Sequence, residues 1–324
     1  SFHSGGTEAL NTALFGILRP GDHVVTTAAE HNSVLRPLHH LVNHHHVNWT
    51  IVPVDAQGMV STDDVIAAIT PATRMLAIVH AANVNGAIQP VHQIGRRLKE
   101  RFTNGPKPIL FCDAAQSFGH LPLSVHDALI DVLAAPGHKG GCGPLGTGFL
   151  YVHQRLHDAI GPLIFGGTGT HSESLEMPND YPSSFEAGNM NVPALAGWLA
   201  GLRSRTERCT PIQATQESAH QLCELAQQLY GGLRQINGVR IIGQPETPLL
   251  PVASISIDGY AAGDAAMILD SEFGIEVRSG LHCAALIHKA IGSPPDGTIR
   301  ISCGETTTSD ELQHLMVALA ELTS

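Results

Sequence analysis

Short apolar runs recur along the first half of the sequence, and the distances between them limit the folds open to the chain. His23–Thr27, Ile51–Val54, Met75–His80, Pro108–Cys112 and Val132–Ala135 each have the length and character of a strand. Helical segments lie between several of them. One opens at Glu30-His31-Asn32-Ser33, one is capped by Ser61-Thr-Asp-Asp64 and runs through Ile69, and one extends from Val91 to Phe102. Strands alternating with helices of this length predict an α/β fold, a mostly parallel central sheet with helices on both faces. Asn83, Asp113 and Gln116 follow strand ends directly, where such sheets bind ligands.

The pattern changes after Val152. Residues 166–182 are rich in turn formers, and helices are predicted over Val192–Arg205 and Pro211–Ile236. In the second helix Leu222, Leu225, Ala226, Leu229, Leu233 and Ile236 keep one apolar face. The remainder reads as a smaller α+β unit. Its strands are Val239–Ile242, Ala253–Ile257, Ile275–Arg278 and Thr298–Ser302, with helices over Ala261–Phe273 and after the capping box Thr308-Ser-Asp-Glu311. We therefore expect a large domain over 1–205 and a small C-terminal domain over 206–324.

A formal net charge of −11, with no basic patch to offset it, argues against a nucleic-acid binder. No apolar run reaches the length of a membrane span. The chain opens on Ser1-Phe-His-Ser-Gly, without a signal-peptide pattern. Six scattered cysteines, none in a C-x-x-C pair, fit free thiols in a cytoplasmic setting. The crowded His39, His40, His44, His45 and His46 share their spacing with no carboxylate or cysteine, so they read as surface rather than as a metal site.

Two stretches carry chemistry. Between the runs Val132–Ala135 and Gly148–Val152 lies a glycine-dense turn with Pro136, Pro144 and a single lysine, Lys139. Glycines let backbone approach a ligand closely, and a lysine delivered there suits an amine with a lowered pKa that forms a Schiff base; a surface lysine in a hairpin is the plainer alternative. Near the start, Ser4-Gly5-Gly6-Thr7-Glu8 precedes a helical stripe over Ala9–Leu18. That is either an anion site at a helix N-terminus or an ordinary cap.

Taken in order, Gly6-Thr7-Glu8, Glu30-His31-Asn32, Asn83-x-x-Gly86, Asp113-Ala-Ala-Gln116, Gly137-His138-Lys139 and Arg278-Ser-Gly-Leu-His282-Cys283 resemble the class V aminotransferase superfamily, in its cysteine desulfurase and selenocysteine lyase branch. The resemblance runs from Ser4 to the C-terminal helix and implies pyridoxal 5'-phosphate as cofactor. It gives Lys139 the Schiff base, Asp113 the pyridinium nitrogen, Gln116 and Asn83 the phenolic edge, and His31 a stacking and catalytic place on the ring face. Gly6, Thr7 and His138 would hold the phosphate, with Asn189 at the position that reaches the partner subunit's phosphate. Cys283 would accept sulfur as a persulfide, releasing alanine, with Arg278 and His282 favouring its thiolate. Arg300 would bind the substrate carboxylate, with Arg278 and Asn83 beside it. Cys112, Cys142 and Cys303 are left as packing residues.

The implied substrate is L-cysteine or selenocysteine, the implied assembly a homodimer, and a sulfur-acceptor protein an implied partner. Another cofactor-dependent lyase or aminotransferase with Cys283 incidental, or a non-catalytic scaffold, are the alternatives. The sequence departs from the family pattern in three places. Pro136 stands where serine is common, and Asn189 replaces a threonine in Glu186-Ala-Gly188-Asn189. The family also carries roughly sixty residues ahead of Gly-Thr-Glu, a domain-scale difference, so lowered stability and activity are expected here.

Overall fold

The computed structural model describes every residue from 1 to 324 except 104 and 208. A seven-stranded sheet is built from β1 (Phe2–His3), β2 (His23–Thr27), β3 (Asn48–Val52), β4 (Thr73–Val79), β5 (Ile109–Asp113), β6 (Val132–Pro136) and β7 (Gly148–Val152), in the order β1-β7-β6-β5-β4-β2-β3. The run β3-β2-β4-β5-β6 is parallel throughout; β7 and β1 close the other edge with antiparallel pairings. The sheet is thus mixed, with the parallel core that the strand–helix alternation predicted. β3 starts earlier than the apolar run at Ile51 because the polar Asn48 and Thr50 pair with His23 and Val25 of β2.

Side chains alternate cleanly between the two faces. Met75, Ala77, Ile109, Phe111, Val132 and Ala134 share one apolar cluster with α1 (Gly6–Ile17) and α2 (Asn32–His44). Their neighbours Leu76, Ile78, Leu110, Cys112, Leu133 and Ala135 belong to a second cluster with α3 (Thr62–Ala67) and α4 (Val91–Arg101). Both faces are therefore covered, which is why these strands read as continuous apolar runs.

Beyond β7 come α5 (Val192–Thr206) and α6 (Pro211–Leu233), then β8 (Val239–Ile242), β9 (Val252–Ile257), α7 (Ala262–Phe273), β10 (Arg278–Gly280), α8 (Ala285–Ala290), β11 (Thr298–Ser302) and α9 (Ser309–Leu322). The second sheet is antiparallel in the order β10-β11-β9-β8, and α6, α7 and α9 pack on it in a third cluster around Leu229, Ile255, Leu269 and Leu319. Thr308 and Glu311 form the expected capping box of α9.

One expectation needs correction. The strand placed at Ile275–Arg278 lies at 278–280 instead. Gly274, left-handed at φ 65°, ends α7, and the Ile275 N–H donates to Leu269 O, so that backbone closes the helix rather than joining the ladder. In the histidine-rich segment, His39, His40 and His44 lie on α2 and His45 follows as its cap. All five histidines are exposed, and among the described residues no cluster of His, Cys, Asp and Glu is arranged to hold a metal ion. No helix among the described residues is long and apolar enough to cross a membrane.

Candidate active site

The parallel strands β2, β4, β5 and β6 finish on one edge of the sheet, and each delivers a predicted side chain there. His31 follows β2, Asn83 follows β4, Asp113 ends β5 and Lys139 follows β6. These four line one cavity of about 180 Å³ together with Gly6, Thr7, Gln116 and His138. Gly6 opens α1, and Gly5 before it offers no side-chain cap, so the first turn presents uncapped N–H groups there. Glu8 turns back to accept from the Ser4 N–H at 2.8 Å. The Thr7 hydroxyl is 2.9 Å from that of Ser33.

Asp113 is 3% exposed and accepts from the Ala115 N–H at 2.9 Å. Burial raises its pKa, opposed by that N–H and by the nearby Lys139 ammonium. Below it Glu30, fully buried, accepts from the Thr27 hydroxyl at 2.7 Å and the Val79 N–H at 2.9 Å. Its other oxygen has no partner, and burial carries the group to about 8, a neutral carboxylic acid at pH 7. The Lys139 amine opens to the cavity, yet the surrounding protein lowers its pKa; Arg300 and Arg278 add to the shift and Asp113 opposes it.

His31 caps α2, its Nδ1 accepting from the Ser33 N–H at 3.0 Å. The ring is neutral, held at about 4 by burial and by the cations Lys139, Arg278, Arg36 and Arg300. The Nδ1 acceptor role puts its proton on Nε2 and leaves a flat uncharged face.

A second cavity of about 400 Å³ continues from the first, sharing His31, Asn83, Gln116 and Lys139 and adding Arg278 and Arg300. Arg300 reaches across from β11 to donate to Asn83 O at 3.1 Å, while its Nε is buried without a partner. The Asn83 amide donates to His282 O at 2.7 Å, and its Oδ1 is likewise unpartnered.

Cys283 lies on the loop after β10, exposed, with its thiol 3.5 Å from Arg278 Nη2. His282 and Cys283 are both left-handed, at φ 51° and 58°, a costly backbone for side-chain-bearing residues. Three contacts hold it. Asn83 binds the His282 carbonyl, the Asn32 N–H donates to Cys283 O at 2.7 Å, and His282 Nε2 is 2.9 Å from Thr298 Oγ1, which donates to Ser254. His282 is buried, which drops its pKa to about 3.

Asn189 is exposed and lines neither cavity. Cys112 is a packed core residue as expected. Cys303 lines the larger cavity, and Cys142 is exposed beside Arg205 at 3.5 Å, so neither is simple packing. Sequence reasoning also missed His120, Leu222, Leu250 and Val252 on the cavity wall. His120 stood four residues past Gln116, the only local signal; the others arrive from distant elements.

Strand ends thus deliver a lysine, a buried aspartate and a helix N-terminus to one cleft, beside two arginines from the second sheet. The aminotransferase class-V family model matches residues 1–315, and the chain belongs to that family. It is 34% identical to a probable cysteine desulfurase of Methanothermobacter thermautotrophicus, over 99% of this chain and 78% of that protein. A probable cysteine desulfurase of Pseudomonas putida is 33% identical over 98% of this chain and 76% of its own length. Among solved structures, the apo cysteine desulfurase of Thermococcus onnurineus NA1 superposes with a TM-score of 0.87 at 29% identity, covering 100% of this chain and 78% of that one.

Proposed function

We propose that this chain is a pyridoxal-phosphate-dependent cysteine desulfurase that takes sulfur from L-cysteine onto Cys283 and releases L-alanine. The residues present fit the cofactor. The smaller cavity combines an amine, a buried carboxylate with a raised pKa, a flat neutral ring and free helix-terminal N–H groups. When bound, the cofactor withdraws electrons from the substrate Cα.

Lys139 would anchor the cofactor covalently, and its amine, with a lowered pKa, would serve as the base of the site. Asp113 would pair with the ring nitrogen, a positive partner that would stabilise its ionised form. His31 would stack on the ring, and Gln116 and Asn83 would hydrogen-bond its phenolic edge. Gly6, Thr7 and His138 would hold the phosphate. Arg300, assisted by Arg278, binds the substrate carboxylate through charge-assisted hydrogen bonds.

Cys283, its thiol beside the Arg278 guanidinium, is the nucleophile that accepts the sulfur. Its sulfur bonds to the substrate sulfur as the S–Cβ bond breaks. The electron pair of that bond stays with Cβ and takes up a proton, giving alanine, and the transferred sulfur remains on Cys283 as a persulfide. The exposed position of Cys283 supports a protein acceptor for that sulfur. Apolar surface at Leu145, Phe165, Leu175 and Val192 supports a homodimer, and six free cysteines support a cytoplasmic setting. We assign 1–205 to the cofactor domain and 206–324 to the domain carrying the cysteine loop.

One observation carries the reading: Lys139, Asp113 and His31 share a cleft whose mouth holds Arg278, and Arg278 is within 3.5 Å of the Cys283 thiol. Absorbance spectroscopy with added cofactor tests it. The wild-type chain is expected to gain a visible band that Lys139→Ala lacks; a wild-type chain that stays colourless contradicts the proposal.

A further inference from the structure

The cleft has two grips, one for the substrate amine at Lys139 and one for its carboxylate at Arg300, and they sit on different sheets. A small amino acid engages both only if the distance between them is fixed. On the β4 side the sheets are tied by hydrogen bonds from Ser254 to Val84 O, Tyr230 to Asn85 O and Arg300 to Asn83 O. The Lys139 side is tied by another group.

Arg205, in the last turn of α5, spreads its guanidinium over three oxygen acceptors besides the Cys142 sulfur. Nη1 donates to Gly140 O at 2.7 Å, and Nη2 to Gly119 O at 2.6 Å and to Glu305 Oε1 at 2.7 Å. Gly140 follows Lys139 directly, Gly119 is on the turn after Gln116, and Glu305 follows β11 and its Arg300. The two glycine loops are themselves locked. Gly119 has φ 79°, and a Cβ there would lie 2.0 Å from Gly140 O; one on Gly140 would lie 2.2 Å from Phe118 O. The two loops are therefore in direct backbone contact beside Lys139.

Glu305 is held from the α6 side as well, by the Ser218 hydroxyl on its Oε1 and by Gln221 on its backbone carbonyl. His120, on the cavity wall, brings Nδ1 to 3.5 Å from the same oxygen. His120, Ser218 and Arg205 together hold the Glu305 carboxyl at about 2, so it is charged throughout the neutral range.

We propose that Arg205 and Glu305 are positioning residues that set the separation of Lys139 from Arg300, and so select amino acids that carry an α-carboxylate. This rests on the proposed function. Neither residue touches the reacting atoms; each acts through the loop or strand it holds. The planar guanidinium is needed because one group must bind two carbonyls and a carboxylate at once, which a lysine ammonium does with poorer geometry.

The test uses Arg205→Met, Glu305→Gln and the milder Arg205→Lys, in two measurements. Backbone hydrogen exchange on the apo chains is expected to speed up together at 139–143 and 303–307 in the first two variants, with Arg205→Lys intermediate. In cofactor-loaded chains, the visible band is titrated with L-cysteine and with cysteamine, which keeps the amine and thiol but lacks the carboxylate. Apparent affinity for L-cysteine is expected to fall about tenfold while that for cysteamine stays unchanged. Faster exchange in only one segment, or equal weakening of both compounds, overturns the proposal. A wild-type chain whose band responds to neither compound overturns the desulfurase reading instead, and the exchange data then judge the clamp alone.

Discussion

Arg278 and Arg300 are register partners across β10 and β11, two cations directly opposite on adjacent strands. Such a pairing is unfavourable unless an anion lies between or above the pair. Burial, then repulsion from Arg278, lowers the Arg300 pKa, and nearby Cys283 opposes the shift. The pair is thus poised for a carboxylate at one end of the cleft and for a thiolate at the rim. Sulfate or acetate added to the apo chain is expected to raise its Tm, and the rise should shrink in both Arg278→Ala and Arg300→Ala. Differential scanning fluorimetry measures this; an equal rise in all three chains removes the anion site.

Three neutral histidines set the acid limb of stability. His31 and His80 are held at about 4 and His282 at about 3, in each case chiefly by burial. Their folded pKa values lie below the unfolded value near 6.5, so the unfolded chain binds more protons in between. Their contribution is fully present above pH 6.5 and is lost as pH falls toward 4. The apo chain is expected to lose Tm steadily over that window. His282→Gln should flatten the slope, and an unchanged slope argues against a buried neutral ring.

Glu30 has the opposite sign. Its folded value of about 8 exceeds the ordinary carboxylate value. Its contribution is fully present below the unfolded pKa, and stability declines as pH rises from there through 8. Glu30→Gln keeps the acceptor for Thr27 and Val79 and removes the titration. The Tm of this variant relative to wild type should therefore climb between pH 5 and 8. A constant difference across that range contradicts a protonated Glu30.

The sheet core is expected to respond as a close-packed interior. Phe111 is 1% exposed between α1 and the strands of its face. Phe111→Ala should cost about 3–5 kcal/mol, read by urea denaturation of the apo chain. A loss below about 1 kcal/mol contradicts the packing described.

The site was legible where chemistry follows a strand end within a few residues. Asp113 ends β5, and His31 and Lys139 come a few residues after β2 and β6, so local sequence carried them. The α/β character was equally plain, because strands covered on both faces announce themselves as apolar runs. The rest depends on pairing over long separations. The Arg278–Arg300 register, the hydrogen bond from Asn83 to His282 and the Arg205–Glu305 bridge join residues far apart in sequence, and no local pattern encodes them. Cys303 shows the same limit: its neighbours Ser302 and Gly304 gave no hint that it faces the cavity, because β9 and α6 supply the opposite wall.

Mass spectrometry of the cofactor-loaded chain after exposure to L-cysteine, with alanine measured in the same sample, tests the central claim most directly. One alanine is expected for each sulfur atom gained on the Cys283 peptide. Cys283→Ala should keep the visible band and lose both products. Alanine formed at the wild-type rate by Cys283→Ala, or sulfur found on another cysteine with Cys283 unmodified, would contradict it.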